Sequence, residues 1–291
     1  MKIPFGLFLF LAAVTTAVEE VQPNTFGVYD YHRRVGIPEA SRIKKLEDEI
    51  NQGQNRIAGG STTSVLALPY QAGLLITMSL ISTSVCGGSI ISDTRILTGA
   101  HCYNDGNNIA QSFTVVLGSN FLFSGGTRIT TSSVVLHPGY NPWIIANDIA
   151  IIRMARVTFS LTIQPINLPS GSQINSNYVG STALASGYGI TRDGDSISLF
   201  QTISSVNLQV ISNSVCANTY GDIIQGTHLC TSGNGRVGVC GGDTGGPLVT
   251  TVNSRRILIG VSSFTPRAGC QANLPSGFTR VTSYISWIHS I

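Results

Sequence analysis

From Ile57 to the end of the chain, 235 residues, there is no lysine and no glutamate. The only charges there besides histidine are ten Arg and seven Asp, a net charge of +3. So few and so scattered positive charges exclude the basic face that a nucleic-acid partner needs. Arg keeps its charge well above the pH at which Lys begins to lose it. The missing lysine therefore predicts work in strongly alkaline fluid, with compositional drift as the alternative reading. There is no CxxC pair, and His101 is the only histidine beside a cysteine, which argues against a zinc framework. Beyond the N-terminus no stretch approaches the twenty apolar residues of a membrane span, so no membrane anchor is expected.

What is present points to an exported β-protein. Residues 1–17 combine an early Lys2, an apolar run and small residues at Thr15 and Ala17, the pattern of a secretory signal peptide. Six cysteines, Cys86, Cys102, Cys216, Cys230, Cys240 and Cys270, form an even set that implies three disulfides in an oxidising compartment. Spacing alone leaves their pairing open. The content is 42% hydrophobic and 11% charged with 32 glycines, and short apolar runs such as Phe113 to Leu117 and Arg256 to Val261 suit strands joined by turns. An all-β class follows. Residues 18–56 hold seven of the 14 acidic residues and two of the three lysines, with little apolar periodicity, and read as a removable activation propeptide. At the other end Tyr284, Ile285, Ile288 and Ile291 share one helical face, predicting a short closing helix.

Four segments then carry a resemblance. Cys86-Gly-Gly-Ser-Ile-Ile through Leu97-Thr-Gly-Ala-His-Cys102 resembles the histidine segment of chymotrypsin/trypsin-like serine peptidases. Asn147-Asp-Ile-Ala-Ile-Ile-Arg resembles their aspartate segment, Cys240-Gly-Gly-Asp-Thr-Gly-Gly-Pro their nucleophile loop, and Arg56-Ile-Ala-Gly-Gly60 their activation site. The order His, Asp, nucleophile is that of chymotrypsin. The resemblance covers residues 57–291 and implies two packed antiparallel β-barrels, roughly 57–165 and 166–280, with a cleft between them. It implies disulfides Cys86–Cys102, Cys216–Cys230 and Cys240–Cys270.

The resemblance makes His101 the general base and Asp148 its orienting partner, with Thr244 standing where the family has serine. His137, His228 and His289 read as structural. Backbone N–H groups of Gly242 and Thr244 would form the oxyanion hole. Cleavage after Arg56 by a trypsin-like protease would free the Ile57 amine to pair with Asp243. Gly238 would form the base of the primary pocket with Thr265 and Ser276 on its walls, and Ser263, Phe264 and Thr265 would pair with an extended substrate. With no carboxylate at that base, an apolar side chain is expected there. The β-branched Thr244 has few χ1 wells, and aiming its hydroxyl at His101 drives its methyl toward the Cys86–Cys102 bridge or the substrate space. Two functions follow: a binding protein with little or no catalysis, or an endopeptidase using Thr244. Polypeptide substrates or protein protease inhibitors are the expected partners, and the domain is expected to be a monomer. No metal or organic cofactor is implied, and the glutamates that bind calcium in some relatives are missing. The whole looks most like the chymotrypsin-like proteins of larval insect midgut.

Overall fold

The computed structural model describes residues 28–51, 63–190, 193 and 202–291. The signal segment 1–17 and the activation site Arg56–Ile57 lie outside the described residues. Strands β1 (Gln71–Ser79), β2 (Ser82–Ser92), β3 (Arg95–Thr98), β4 (Ser112–Leu117), β5 (Thr127–Thr131), β6 (Val134–Leu136) and β7 (Ala150–Arg153) form one antiparallel sheet, in the order β5-β4-β1-β2-β3-β7-β6. Strands β8 (Thr182–Gly187), β9 (Ser204–Ile211), β10 (His228–Thr231), β11 (Pro247–Val252), β12 (Arg255–Phe264) and β13 (Ser276–Arg280) close into a barrel in the order β10-β13-β12-β11-β8-β9. The second half is thus a closed barrel and the first a half-barrel, whose edge strands β5 and β6 do not pair. Their brevity blunts the open edges.

The two halves meet across a shared apolar seam. Val85, Leu97 and Ile151 from the first half pack with Val249, Leu258 and Val281 from the second. Burying six such side chains contributes about 1.5–3 kcal/mol each before entropy is counted. Disulfides join Cys86–Cys102, Cys216–Cys230 and Cys240–Cys270, as the resemblance implied. Helix α2 (Asn213–Tyr220) is capped by Ser212, whose hydroxyl accepts the Val215 N–H. The chain closes with helix α3 (Ile285–Ser290) after a tight turn at Val281–Tyr284, and Tyr284, Ile285 and Ile288 are buried.

The leading segment departs from the expectation of little apolar periodicity. A π-helical turn (His32–Gly36) runs into a 15-residue helix, Ile37–Asn51, here α1. Pro38 and Glu39 favour its first turn. Lys44–Asp48 is an exposed ion pair worth a few tenths of a kcal/mol, and Glu39–Arg42 is a largely buried one. A single helix of this length is marginal in water. Its stability comes from packing Ala40 and Ile43 into the apolar seam, with Leu46 also fully buried. The charged residues between these positions hid the three-residue spacing in the sequence.

Candidate active site

His101 sits on a tight turn, Ala100–Cys102, directly after β3, and Asp148 lies two residues before β7. Pairing of β3 with β7 sets Thr98 opposite Ala150, which brings these two side chains together. His101 Nδ1 lies 2.8 Å from Asp148 Oδ2, and the His101 backbone N–H donates to Asp148 Oδ1 at 3.0 Å. Ser263 Oγ donates to the same carboxylate at 2.5 Å. Thr279 Oγ1 holds the Asp148 carbonyl at 2.6 Å. All four residues are buried. Burial alone would raise the Asp148 carboxyl, but the His101 ring and these donors hold it below the usual range. An ionised Asp148 fixes the proton on Nδ1 and leaves Nε2 as the acceptor.

Ser263 thus has a second part to play. The resemblance assigns it to edge backbone, and its hydroxyl also braces the His101–Asp148 pair. Neither this contact nor that of Thr279 had a signal in the sequence, because both depend on how the second half docks on the first. His228 positions the same region: its ring bonds the Ile145 carbonyl at 2.8 Å and accepts the Gln225 N–H at 3.0 Å. His137 packs edge-on to Tyr284 and Trp287, and His289 is exposed.

Thr244 stands in the loop between Cys240 and β11 and is only 6% exposed. Its carbonyl accepts the Gly87 N–H at 2.8 Å, fixing the loop against β2. Gly242 and Gly245 flank it at φ +92° and +83°. A Cβ on Gly245 would lie 2.5 Å from Thr98 Oγ1 and 2.6 Å from the Gly87 carbonyl, so that position requires glycine. Among the described residues Thr244 makes no hydrogen bond to His101. His101 Nε2 instead has Cys102 Sγ at 3.5 Å, and the Thr244 side chain lies within reach of the Tyr31 phenol. The cluster of Cys86, His101 and Cys102 offers no thiolate to a metal, since its two sulfurs are bonded to each other.

A cavity of about 180 Å³ adjoins Thr244, lined on the domain side by Gly241, Ser263, Phe264, Thr265 and Arg267. Gly238 and Ser276 do not line it but adjoin each other: a Cβ on Gly238 would lie 3.2 Å from Ser276 Oγ. Phe264 is buried edge-on to Tyr220 and His228.

Asp243 accepts N–H bonds from Gly189 at 2.8 Å and Cys240 at 3.2 Å. Burial pushes its carboxyl up to about 7, against these two bonds, and nearby Glu39 adds to the rise. An acid whose folded pKa exceeds its unfolded value of 3.8 stabilises the fold below that value and ceases to as pH climbs through about 7. Between pH 4 and pH 8 the melting temperature of the uncut chain should therefore fall by roughly 5 °C more than that of Asp243→Asn. Parallel profiles for the two proteins would refute a buried carboxyl held above its ordinary range.

The family described as Trypsin matches residues 57–288. The chain is 38% identical over 242 residues to a collagenase of Hypoderma lineatum, covering 82% of this chain and 88% of that protein. It is 35% identical over 238 residues to brachyurin of Leptuca pugilator, covering 80% and 97%. The solved structure of HL collagenase superposes with a TM-score of 0.72 at 36% identity, over 80% of this chain and 97% of that one.

Proposed function

Because the chain belongs to the trypsin family of serine endopeptidases, we propose that it is a secreted zymogen of that family whose catalytic step Thr244 leaves severely impaired or silent. The observation that carries this reading is a relay complete up to its last member. His101, Asp148 and Ser263 are bonded as acyl transfer requires, yet no hydrogen bond links Nε2 to the Thr244 hydroxyl. The Cys86–Cys102 bridge stands beside the His101 ring and the Thr244 backbone, with Cys102 Sγ 3.5 Å from Nε2 and 4.0 Å from the Thr244 carbonyl. That is the space into which a rotated threonine would press its methyl.

The cleft would still bind polypeptides. Gly242 and Thr244 keep backbone N–H groups for an oxyanion, and Ser263 to Thr265 supply an edge for an extended chain. No carboxylate lines the cavity beside Thr244, whereas Arg267 does, which favours an apolar side chain over a basic one. Thr265 narrows the same space. Cleavage after Arg56 would give Asp243 its cation in the Ile57 amine. Three disulfides suit an oxidising exterior, and no helix among the described residues is long and apolar enough to cross a membrane. The lysine-free domain suits alkaline fluid such as a gut lumen.

The intact relay favours a second reading, an endopeptidase that uses Thr244 itself. Cutting after Arg56, removing the freed leading segment and assaying apolar peptide anilides at roughly pH 7 to 11 separates the two. We expect turnover no higher than that of Thr244→Ala. Turnover that Thr244→Ala abolishes would establish threonine as a working nucleophile.

A further inference from the structure

The leading segment sits on the catalytic centre. Val28 packs against Ile145 and Phe264. Tyr31 is buried with its ring edge-on to His101 at a 5.0 Å centroid distance, and its phenol donates to the Val85 carbonyl at 2.8 Å. Its apolar neighbours include Cys86 and Cys102 of the bridge. The His32 N–H donates to Asp105 Oδ2 at 2.9 Å, and its ring bonds Ser84 Oγ at 2.8 Å. Further on, Glu39 lies over Gly241, in the loop that precedes Thr244. Glu47, 1% exposed, accepts the backbone N–H groups of Leu122 at 2.5 Å and Phe123 at 3.0 Å and the Ser124 hydroxyl at 3.1 Å. A buried carboxylate with that many donors is an anchor, and an aromatic ring against the catalytic histidine is a plug.

The conformation of the segment decides whether it is substrate or blocker. A peptidase of this architecture takes its substrate extended, by strand addition. Here Asp30 has φ +56°, and Tyr31 has helical dihedrals of −55° and −46°. Asn107 and Asn108 bond the Asp30 carboxylate at 3.0 and 3.2 Å, and the Asp105 carbonyl accepts its N–H at 3.1 Å. The backbone therefore turns away at the centre and offers no extended carbonyl for attack. The cavity beside Thr244 is roofed by Val28, Tyr31 and Val35, which leave it unfilled.

We infer that residues 28–51 are a ligand of the catalytic cleft in their own right, and that after cleavage at Arg56 they stay bound without a covalent tie, blocking polypeptides until they dissociate. The segment contains no cysteine, so no disulfide can retain it. This inference rests on the peptidase reading only for the site of the cut and for activity as a readout.

For the test, Gln52 to Arg56 are replaced by Asp-Asp-Asp-Asp-Lys in the full chain, so that enteropeptidase frees Ile57 and spares Arg33, Arg34 and Arg42. Thr244→Ser in the same chain lets occupancy be read as activity. After the cut we expect the segment to co-elute with the domain at about 1 μM, with activity at or below about a tenth of that recovered once mild urea has separated the two and has been removed. Tyr31→Ala should weaken retention about 10²-fold and restore activity without the urea step. Once separated, the two preparations hold identical domains, so a folding defect cannot imitate this difference. The inference is overturned if the Tyr31 segment elutes free at that concentration, or if activity appears in full at the moment of cutting. If the separated Thr244→Ser domain is itself inactive, the peptidase reading falls, while co-elution of the segment still decides this one.

Discussion

Replacing Thr244 with serine is expected to raise turnover of apolar peptides by the cleaved, segment-free domain at least about 10³-fold. Everything a serine would need is in place. Asp148 is ionised and held by the His101 backbone and Ser263, so Nδ1 keeps its proton and Nε2 is free to accept another. The loop carrying position 244 is pinned through Gly87, and Gly245 fits only because it lacks a Cβ. Serine can rotate its hydroxyl toward Nε2 without moving a methyl against Cys102, which lies 3.5 Å from that nitrogen. A misplacement near 1 Å is enough to cost about 10²-fold, and loss of an effective nucleophile costs more. Turnover of the natural protein within about tenfold of the serine variant would refute the steric account and assign catalysis to threonine.

In that serine background, Asp148→Asn should lower kcat by about 10⁴-fold with little change in KM. An amide at this position turns an N–H toward Nδ1, so the ring shifts its proton to Nε2 and loses the lone pair that takes the hydroxyl proton. The Ser263 hydroxyl, 2.5 Å from Asp148 Oδ2, cannot make up for this, because it has no charge to stabilise an imidazolium. The pH profile gives an independent readout: the variant should recover part of its rate in alkali. A loss smaller than about tenfold would remove Asp148 from the relay.

The strands and the site differ in how far the sequence revealed them. Apolar runs gave β4 to within one residue and the middle of β12, which runs three residues further to Phe264, and the spacing of Tyr284, Ile285 and Ile288 gave the short closing helix α3. The histidine and aspartate segments were legible through the resemblance of their motifs to those of a known family, and both lie next to strands that pair with each other. Ser263, Thr279 and His228 were not legible as supports of that site, since each acts across the junction of the two halves. The leading segment misled most. Glu47 stands in a run of charges that reads as solvated surface, yet it is buried, and burial raises its carboxyl above the usual range despite three donors. Tyr31 sits between charged and polar neighbours and nothing in its surroundings marks it as a plug. The only available signal was Ala40, Ile43 and Leu46 at three-residue intervals.

Each of the three disulfides closes a loop within one half, Cys86–Cys102 in the first and the other two in the second. His101 and Asp148 belong to the first half, Thr244 and Ser263 to the second. The relay is thus assembled by two separately stapled bodies whose mutual alignment depends on an apolar seam and a few hydrogen bonds. Oxidation can make each body rugged without making their alignment so. Conditions that weaken apolar contact, such as cold or dilute urea, would slide one body against the other and silence the centre while both remain folded. For this molecule, survival of the fold and survival of its chemistry are separate endurance limits.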